Sequence, residues 1–106
     1  MKAQFSDADV VWKLVTENVT NTKSFVSVSG IEYTARLLNN SIMYKGGNSK
    51  NGEEGELCKT DFIAAFDAVK NVEDINSNTI KKVIPTAVYR KRTPFIGLLL
   101  AAGIIS

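Results

Sequence analysis

The chain has 106 residues, of which 44% are hydrophobic and 23% are charged, and this composition excludes an intrinsically disordered protein. The formal net charge is +2, and the single cysteine and the absence of histidine exclude an internal disulfide and the common catalytic arrangements built on histidine. A chain of this length buries enough apolar surface to fold without metal or disulfide staples. We therefore expect residues 1–106 to form a single compact domain.

The first predicted element is a helix from about Asp7 to Asn18. Ser6 precedes two acidic residues, a pattern typical of an N-cap followed by a first turn that complements the helix dipole. Five apolar residues then recur at helical spacing, namely Val10, Val11, Leu14, Val15 and Val19.

From Ser24 the hydrophobic period changes from helical to alternating, which predicts an antiparallel meander of three strands over residues about 24–45. Ser29-Gly30 and Asn39-Asn40 are the predicted turns, the second of them type I′ because asparagine tolerates positive φ. Tyr33 alternates in phase with the apolar residues, so we expect it to face the core rather than to offer a stacking surface for bases.

The segment from Gly46 to Glu56 is rich in glycine, carries a net charge of −2 and contains no apolar residue. It lacks the Gly-Lys-Ser/Thr and Gly-x-Gly-x-x-Gly patterns of phosphate-binding loops. We expect a polar connecting loop, not a nucleotide site.

Helical signals return after this loop. Thr60 is a predicted N-cap for a second helix that ends near Asn71, and a short helical segment from Ser77 or Asn78 is expected to stop at Ile84, before Pro85. The last helix has Thr93 at N-cap, Pro94 at N1, an apolar body and Gly103 at C′. The predicted fold class is α+β: the three-stranded meander, covered by the N-terminal helix and two to three C-terminal helices.

Charge is divided unequally along the chain. Residues 1–75 carry 8 Lys or Arg against 11 Asp or Glu, a net charge of −3, whereas residues 76–106 carry 5 basic and no acidic residues, a net charge of +5. Three cations stand immediately before the last helix, whose N-terminal amides already make that end positive. The conflict is removed by solvation or by a bound anion such as phosphate.

These features predict a small, non-catalytic nucleic-acid-binding module that contacts the DNA or RNA backbone. The candidate binding residues are Lys81, Lys82, Tyr89, Arg90, Lys91, Arg92 and Thr93. Tyr89 is expected to stack on a base or ribose, and the basic side chains to contact phosphates.

Two alternatives remain open at this stage. The basic segment can be neutralised by the chain's own Glu53, Glu54 or Glu56, or it can dock on an acidic surface of another protein, which would make the chain an interaction or inhibitor protein. No enzyme activity, cofactor or metal is expected, and Cys58 is predicted to be a packed or idle thiol. The absence of an N-terminal apolar segment and of a long apolar stretch favours a cytoplasmic protein that does not enter the membrane.

Overall fold

The computed structural model describes residues 1–46 and 53–106. The first helix, α1, spans Ala8–Thr22 and buries Val11, Val15 and Val19 among other residues. Its N-cap is Asp7 and not the predicted Ser6, because the Asp7 carboxylate accepts hydrogen bonds from the backbone N–H groups of Asp9 (2.9 Å) and Val10 (3.3 Å). The helix also runs past the predicted end at Asn18, since buried Val19 holds an additional turn against the core.

The sheet contains four antiparallel strands in the order β1-β2-β3-β4, one more than predicted. The strands are β1 (Ser24–Val26), β2 (Glu32–Leu38), β3 (Ser41–Gly46) and β4 (Gly55–Cys58). The α+β class and the meander are confirmed. Part of the predicted loop is strand, because Gly46 belongs to β3 and Gly55 and Glu56 belong to β4; residues 47–52 lie outside the described ones.

The pairing register of the strands places large apolar side chains together on the face of the sheet that packs against the core. Phe25 pairs with Tyr33 across β1 and β2, and Ile42 pairs with Leu57 across β3 and β4. Phe25, Ile42 and Leu57 are buried, and the Tyr33 ring stacks on Phe25 with 4.8 Å between centroids. The prediction that Tyr33 faces the core is therefore confirmed.

The β2–β3 hairpin turn differs from its prediction. Asn39 and Asn40 connect the paired residues Leu38 and Ser41, as expected for a two-residue hairpin loop. Only Lys23 and Asn39 among the described non-glycine residues have positive φ, with Asn39 at 55°. A type I′ turn requires positive φ at both central residues, so this turn is of another type.

Three helical elements follow β4 before the last helix. Helix α2 spans Lys59–Val69, a 3₁₀ helix spans Thr79–Lys82, and a short helix, α3, spans Thr86–Tyr89. Because β4 runs directly into α2, Cys58 is the N-cap and Thr60 lies inside the first turn, not at its predicted capping position. Asn78 holds the N-cap position of the 3₁₀ helix without a side-chain capping bond, and α3 was not predicted.

The last helix, α4, spans Arg92–Ala101 and ends as predicted. Gly103 has φ of 75°. Its N–H bonds to the carbonyl of Leu100 (3.1 Å), and the N–H of Ile104 bonds to the carbonyl of Leu99 (2.9 Å). This pair of bonds is the Schellman motif, which satisfies carbonyls that the helix end would leave unpaired.

Helices α1, α2 and α4 meet on the inner face of the sheet. Phe62 of α2 is fully buried and packs edge-on against Trp12 of α1 and Phe95 of α4, with centroid separations of 5.2 and 5.3 Å. The buried side chains form one hydrophobic cluster. The two ends of the chain meet, because Ala3 forms an antiparallel bridge with Ile105.

Candidate nucleic-acid interface

The cations Arg90, Lys91 and Arg92 occupy the bend between α3 and α4. Val88 and Phe95 on either side of the bend are fully buried, so the two short helices are anchored in the core and the residues between them are held at the surface. The Lys91 N–H bonds to the Val88 carbonyl (2.8 Å), which closes the bend. We call residues 89–93 the basic segment.

The start of α4 differs from the predicted one. Lys91 is the N-cap, without a side-chain capping bond, and its carbonyl accepts the N–H of Phe95 at 2.9 Å. Thr93 is therefore the second helical residue and Pro94 the third, a position where the missing proline N–H costs no intrahelical bond. The first turn contains no acidic residue, so the chain supplies no carboxylate there to complement the helix dipole.

Lys91 is the member of the basic segment that is tied to the protein. Its ammonium donates a hydrogen bond to the backbone carbonyl of Glu56 on β4, and the side chain is partly buried. This contact uses the carbonyl and not the carboxylate of Glu56, so it leaves the positive charge of Lys91 without an acidic partner.

Arg92 has an unusual environment. Its guanidinium carbon lies 4.0 Å from the ring centroid of Tyr89, which is a cation–π contact. Two of its nitrogens, Nε and Nη1, are shielded from solvent and make no hydrogen bond in the described residues. A shielded donor without an acceptor is costly, so this pair of N–H groups is suited to an acceptor from outside the chain.

The alternative in which the chain's own carboxylates neutralise the basic segment is not seen in the described residues. Glu54 forms a bidentate pair with Arg36, with distances of 3.0 Å from Nε and 2.8 Å from Nη2. That hydrogen bond lowers the pKa of Glu54. The ion pairs between described residues join Met1 to Asp74, Arg36 to Glu54 and Lys70 to Asp67, and none includes a cation from residues 81–92.

Lys81 and Lys82 are exposed at the end of the 3₁₀ helix and make no ion pair with the described part of the chain. The 3₁₀ helix that carries these lysines and the basic segment border the same cavity. Asn78, at the N-cap of the 3₁₀ helix, and Thr93, near the start of α4, both line this cavity of about 430 Å³. The structure thus brings the start of α4 and the start of the lysine-bearing helix to the same cavity.

Tyr89 makes an internal contact that was not predicted. Its side chain is 41% exposed, as stacking on a base requires, but one contact of its ring is already made by Arg92. A base that stacks on Tyr89 must use the remaining exposed surface or displace the guanidinium. Residue order alone gave no sign of this internal contact, although a tyrosine three residues before an arginine is a spacing at which side chains meet on a helix.

Sequence reasoning did not find the cavity itself. Its walls come from the β1–β2 turn, from residues 76–78 and from α4, which are far apart in the chain. The local signal is the polar run Asn76-Ser77-Asn78, of which Ser77 and Asn78 were predicted only as alternative helix caps.

The remaining candidates for chemistry among residues 1–46 and 53–106 are a metal site and the thiol of Cys58. No group of three or more metal-ligating side chains is placed to hold an ion there. Cys58 is a free, partly buried thiol. None of the described helices has the length and apolar content needed to span a membrane. Comparison with protein-family models, curated proteins and solved structures gave no match.

Proposed function

We propose that the protein is a small, non-catalytic module that binds the backbone of DNA or RNA through residues 81–93. Arg90, Lys81 and Lys82 would contact phosphates directly, since each is exposed. Arg92 would add a further contact once its guanidinium moves off Tyr89, because its two shielded donors then gain phosphate oxygens as acceptors. Thr93 and the free N–H groups of the first turn of α4 would complete the anion site.

The observation that carries the proposal is the lack of acidic partners for these cations. Within the described residues the nearby Glu54 is held by Arg36, and Lys91 contacts a carbonyl instead of a carboxylate. Five positive charges on residues 81–92 thus remain available to a polyanion. A cytoplasmic location belongs to the same proposal and is supported by the single free thiol.

The test is binding of a short fluorescent oligonucleotide, followed by anisotropy at several salt concentrations. For three to five phosphate contacts on a duplex, log K is expected to fall with log salt at a slope of about −3 to −4.5. The double variant Arg90→Ala with Arg92→Ala should weaken binding about tenfold or more near 50 mM salt and make the slope shallower by about 2.

The matched control is Lys2→Ala with Lys13→Ala, which removes two positive charges from exposed side chains outside the basic segment. It should change the affinity much less than the arginine double variant. Equal losses in the two variants would mean that total charge, not this segment, determines binding. Absence of binding by the wild type at low salt would refute the proposal.

A second candidate function is docking on an acidic surface of another protein. The exposed apolar side chains of Val83 (45%) and Tyr89 (41%), which accompany the cations, favour it because protein interfaces combine apolar and charged contacts. Under this alternative, oligonucleotide binding would be weak and the arginine double variant would not affect it.

A further inference from the structure

The cavity beside the basic segment has the size of an ordinary ligand site. Its volume of about 430 Å³ lies within the usual range of roughly 300–1,000 Å³ for small-molecule pockets. Its walls are Val28 and Ser29 of the β1–β2 turn, the loop residues Asn76, Ser77 and Asn78, and Thr93 and Ile96 of α4.

The polar groups of this cavity divide into those that the fold uses and those that it leaves unpaired. The side-chain oxygen Oδ1 of Asn76 accepts from the N–H groups of Asn78 (2.9 Å) and Thr79 (3.0 Å), and the Ser29 hydroxyl pairs with that of Ser27. The side chains of Ser77, Asn78 and Thr93 make no hydrogen bond within residues 1–46 and 53–106. An amide and two hydroxyls are therefore available to a ligand, and together they both donate and accept.

The remaining walls are aliphatic and uncharged. Ile96 is 2% exposed and forms a fixed apolar surface, whereas Val28 is 60% exposed at the rim. None of the seven lining residues carries a charge, although the cations of segments 81–82 and 90–92 lie within four residues of a lining residue along the chain. Such a site suits a flat, neutral group with hydrogen-bonding edges that is attached to a phosphate, and a nucleobase has this chemistry.

The position of the cavity residues relative to the basic residues supports the same ligand. Thr93 belongs both to the cavity and to the basic segment, and Asn78 lies three residues before Lys81. At about 2 Å rise per residue in a 3₁₀ helix, Lys81 is only about 6 Å further along the axis than Asn78. A phosphate held by these cations would place its own base at the mouth of the cavity.

We infer that the cavity receives one unstacked base of a single-stranded nucleic acid whose phosphates lie on the basic segment and on Lys81 and Lys82. This inference rests on the proposed function and names its substrate more narrowly. A base inside a duplex is paired and stacked, and extruding it costs free energy. Single strands should therefore bind more tightly than duplexes of the same length.

The experiment compares two single-stranded oligonucleotides of equal length and charge, one with bases and one with abasic sites throughout its central part. The wild type should bind the base-bearing strand about fivefold or more tightly, in line with the free energy of one base contact. Asn78→Ala truncates a cavity side chain outside the basic segment, so it should bring this ratio close to one and leave the affinity for the abasic strand unchanged. Ser77→Ala, a second cavity variant outside that segment, should lower the ratio in the same way and replaces Asn78→Ala if the latter fails to fold.

Asn71→Ala is the control, because it makes the same chemical change at an exposed position just after α2, outside the cavity. The control should preserve the preference for bases. A preference that survives in Asn78→Ala overturns the inference and assigns base recognition elsewhere, for example to Tyr89. If the wild type binds both strands equally and the arginine double variant weakens both, the backbone-binding function stands and the base cavity does not. If neither strand binds, both proposals fail.

Discussion

Arg92 combines a favourable ring contact with two unpaired donor nitrogens. Its guanidinium packs on Tyr89, yet Nε and Nη1 are shielded without acceptors. A cation–π contact contributes about 0.5–2 kcal/mol. Each unpaired donor costs about 1–3 kcal/mol, so the two donors together outweigh the ring contact.

Replacing Arg92 by Met tests this balance. Methionine keeps a long side chain and a favourable sulfur–aromatic contact with Tyr89, and it removes the unpaired donors. We expect the free energy of unfolding in urea to stay constant or to rise by up to about 1 kcal/mol, while oligonucleotide affinity falls. Lys91→Met, the comparison, should lower stability by about 1 kcal/mol because it breaks the bond to the Glu56 carbonyl. A loss of stability in Arg92→Met as large as that in Lys91→Met would show that Arg92 is mainly structural.

At the scale of elements, local signals predicted the ends of some helices and failed for others. The C-terminus of α4 was predictable because Gly103 adopts a backbone conformation that other residues rarely accept. The predicted starts of α2 and α4 were wrong. Threonine is a common N-cap residue, but the preceding chain places Cys58 and Lys91 at the two caps in place of Thr60 and Thr93. Strand β4 enters α2 without a loop, and the α3–α4 bend places Lys91 at the cap.

Strand β4 was missed for a related reason. It has four residues, begins with glycine and contains Glu56, so it carries little strand propensity. The ring of Tyr44 covers the Cα of Gly55, where a β-carbon would collide with it. Pairing with β3 and this aromatic cover create the strand, and both depend on residues distant in the chain.

Gly103→Ala tests the Schellman motif. Alanine at φ of 75° pays a steric cost of about 1 kcal/mol, so the free energy of unfolding should fall by about that amount. Equilibrium unfolding in urea measures the change, with Ala64→Gly, at an exposed interior position of α2, as a control that lowers helix propensity by a similar amount outside the motif. An unchanged stability in Gly103→Ala would contradict the positive φ.

At the scale of the whole molecule, charge is partitioned between an acidic half with internal ion pairs and a basic end without them in the described residues. Arg36 holds Glu54 on the sheet, and Asp67 and Asp74 have their own basic partners. The cations of residues 81–92 are thus left without a carboxylate partner among the described residues.

The Arg36–Glu54 pair should give stability a dependence on pH. The hydrogen bond to Arg36 lowers the pKa of Glu54 below its ordinary value of 4.5 in the folded state. The contribution of the pair is therefore fully present above that ordinary value and is lost as the pH falls through the lowered folded value. The urea midpoints of wild type and Glu54→Gln should differ at neutral pH and converge in acid.

Glu53→Gln is the control for this titration, because it removes the same charge from an adjacent, exposed residue that makes no ion pair with the described chain. Its midpoint should follow the wild type at every pH. A difference between wild type and Glu54→Gln that persists in strong acid would mean that the carboxylate pairing does not cause it.

The sequence alone determined the features that depend on local periodicity and on counting. These are the α+β class, the core-facing side of α1 and the sheet, the glycine-terminated end of α4, and the unequal division of charge. Each follows from the spacing of apolar residues or from a conformational preference of one residue type.

Tertiary structure alone decided which of these residues meet. The contact of Lys91 with Glu56, the fourth strand, and the cavity between Val28, Asn78 and Thr93 all join segments whose proximity depends on how the helices pack on the sheet. Packing is a property of the complete set of long-range contacts, and a local pattern does not encode it.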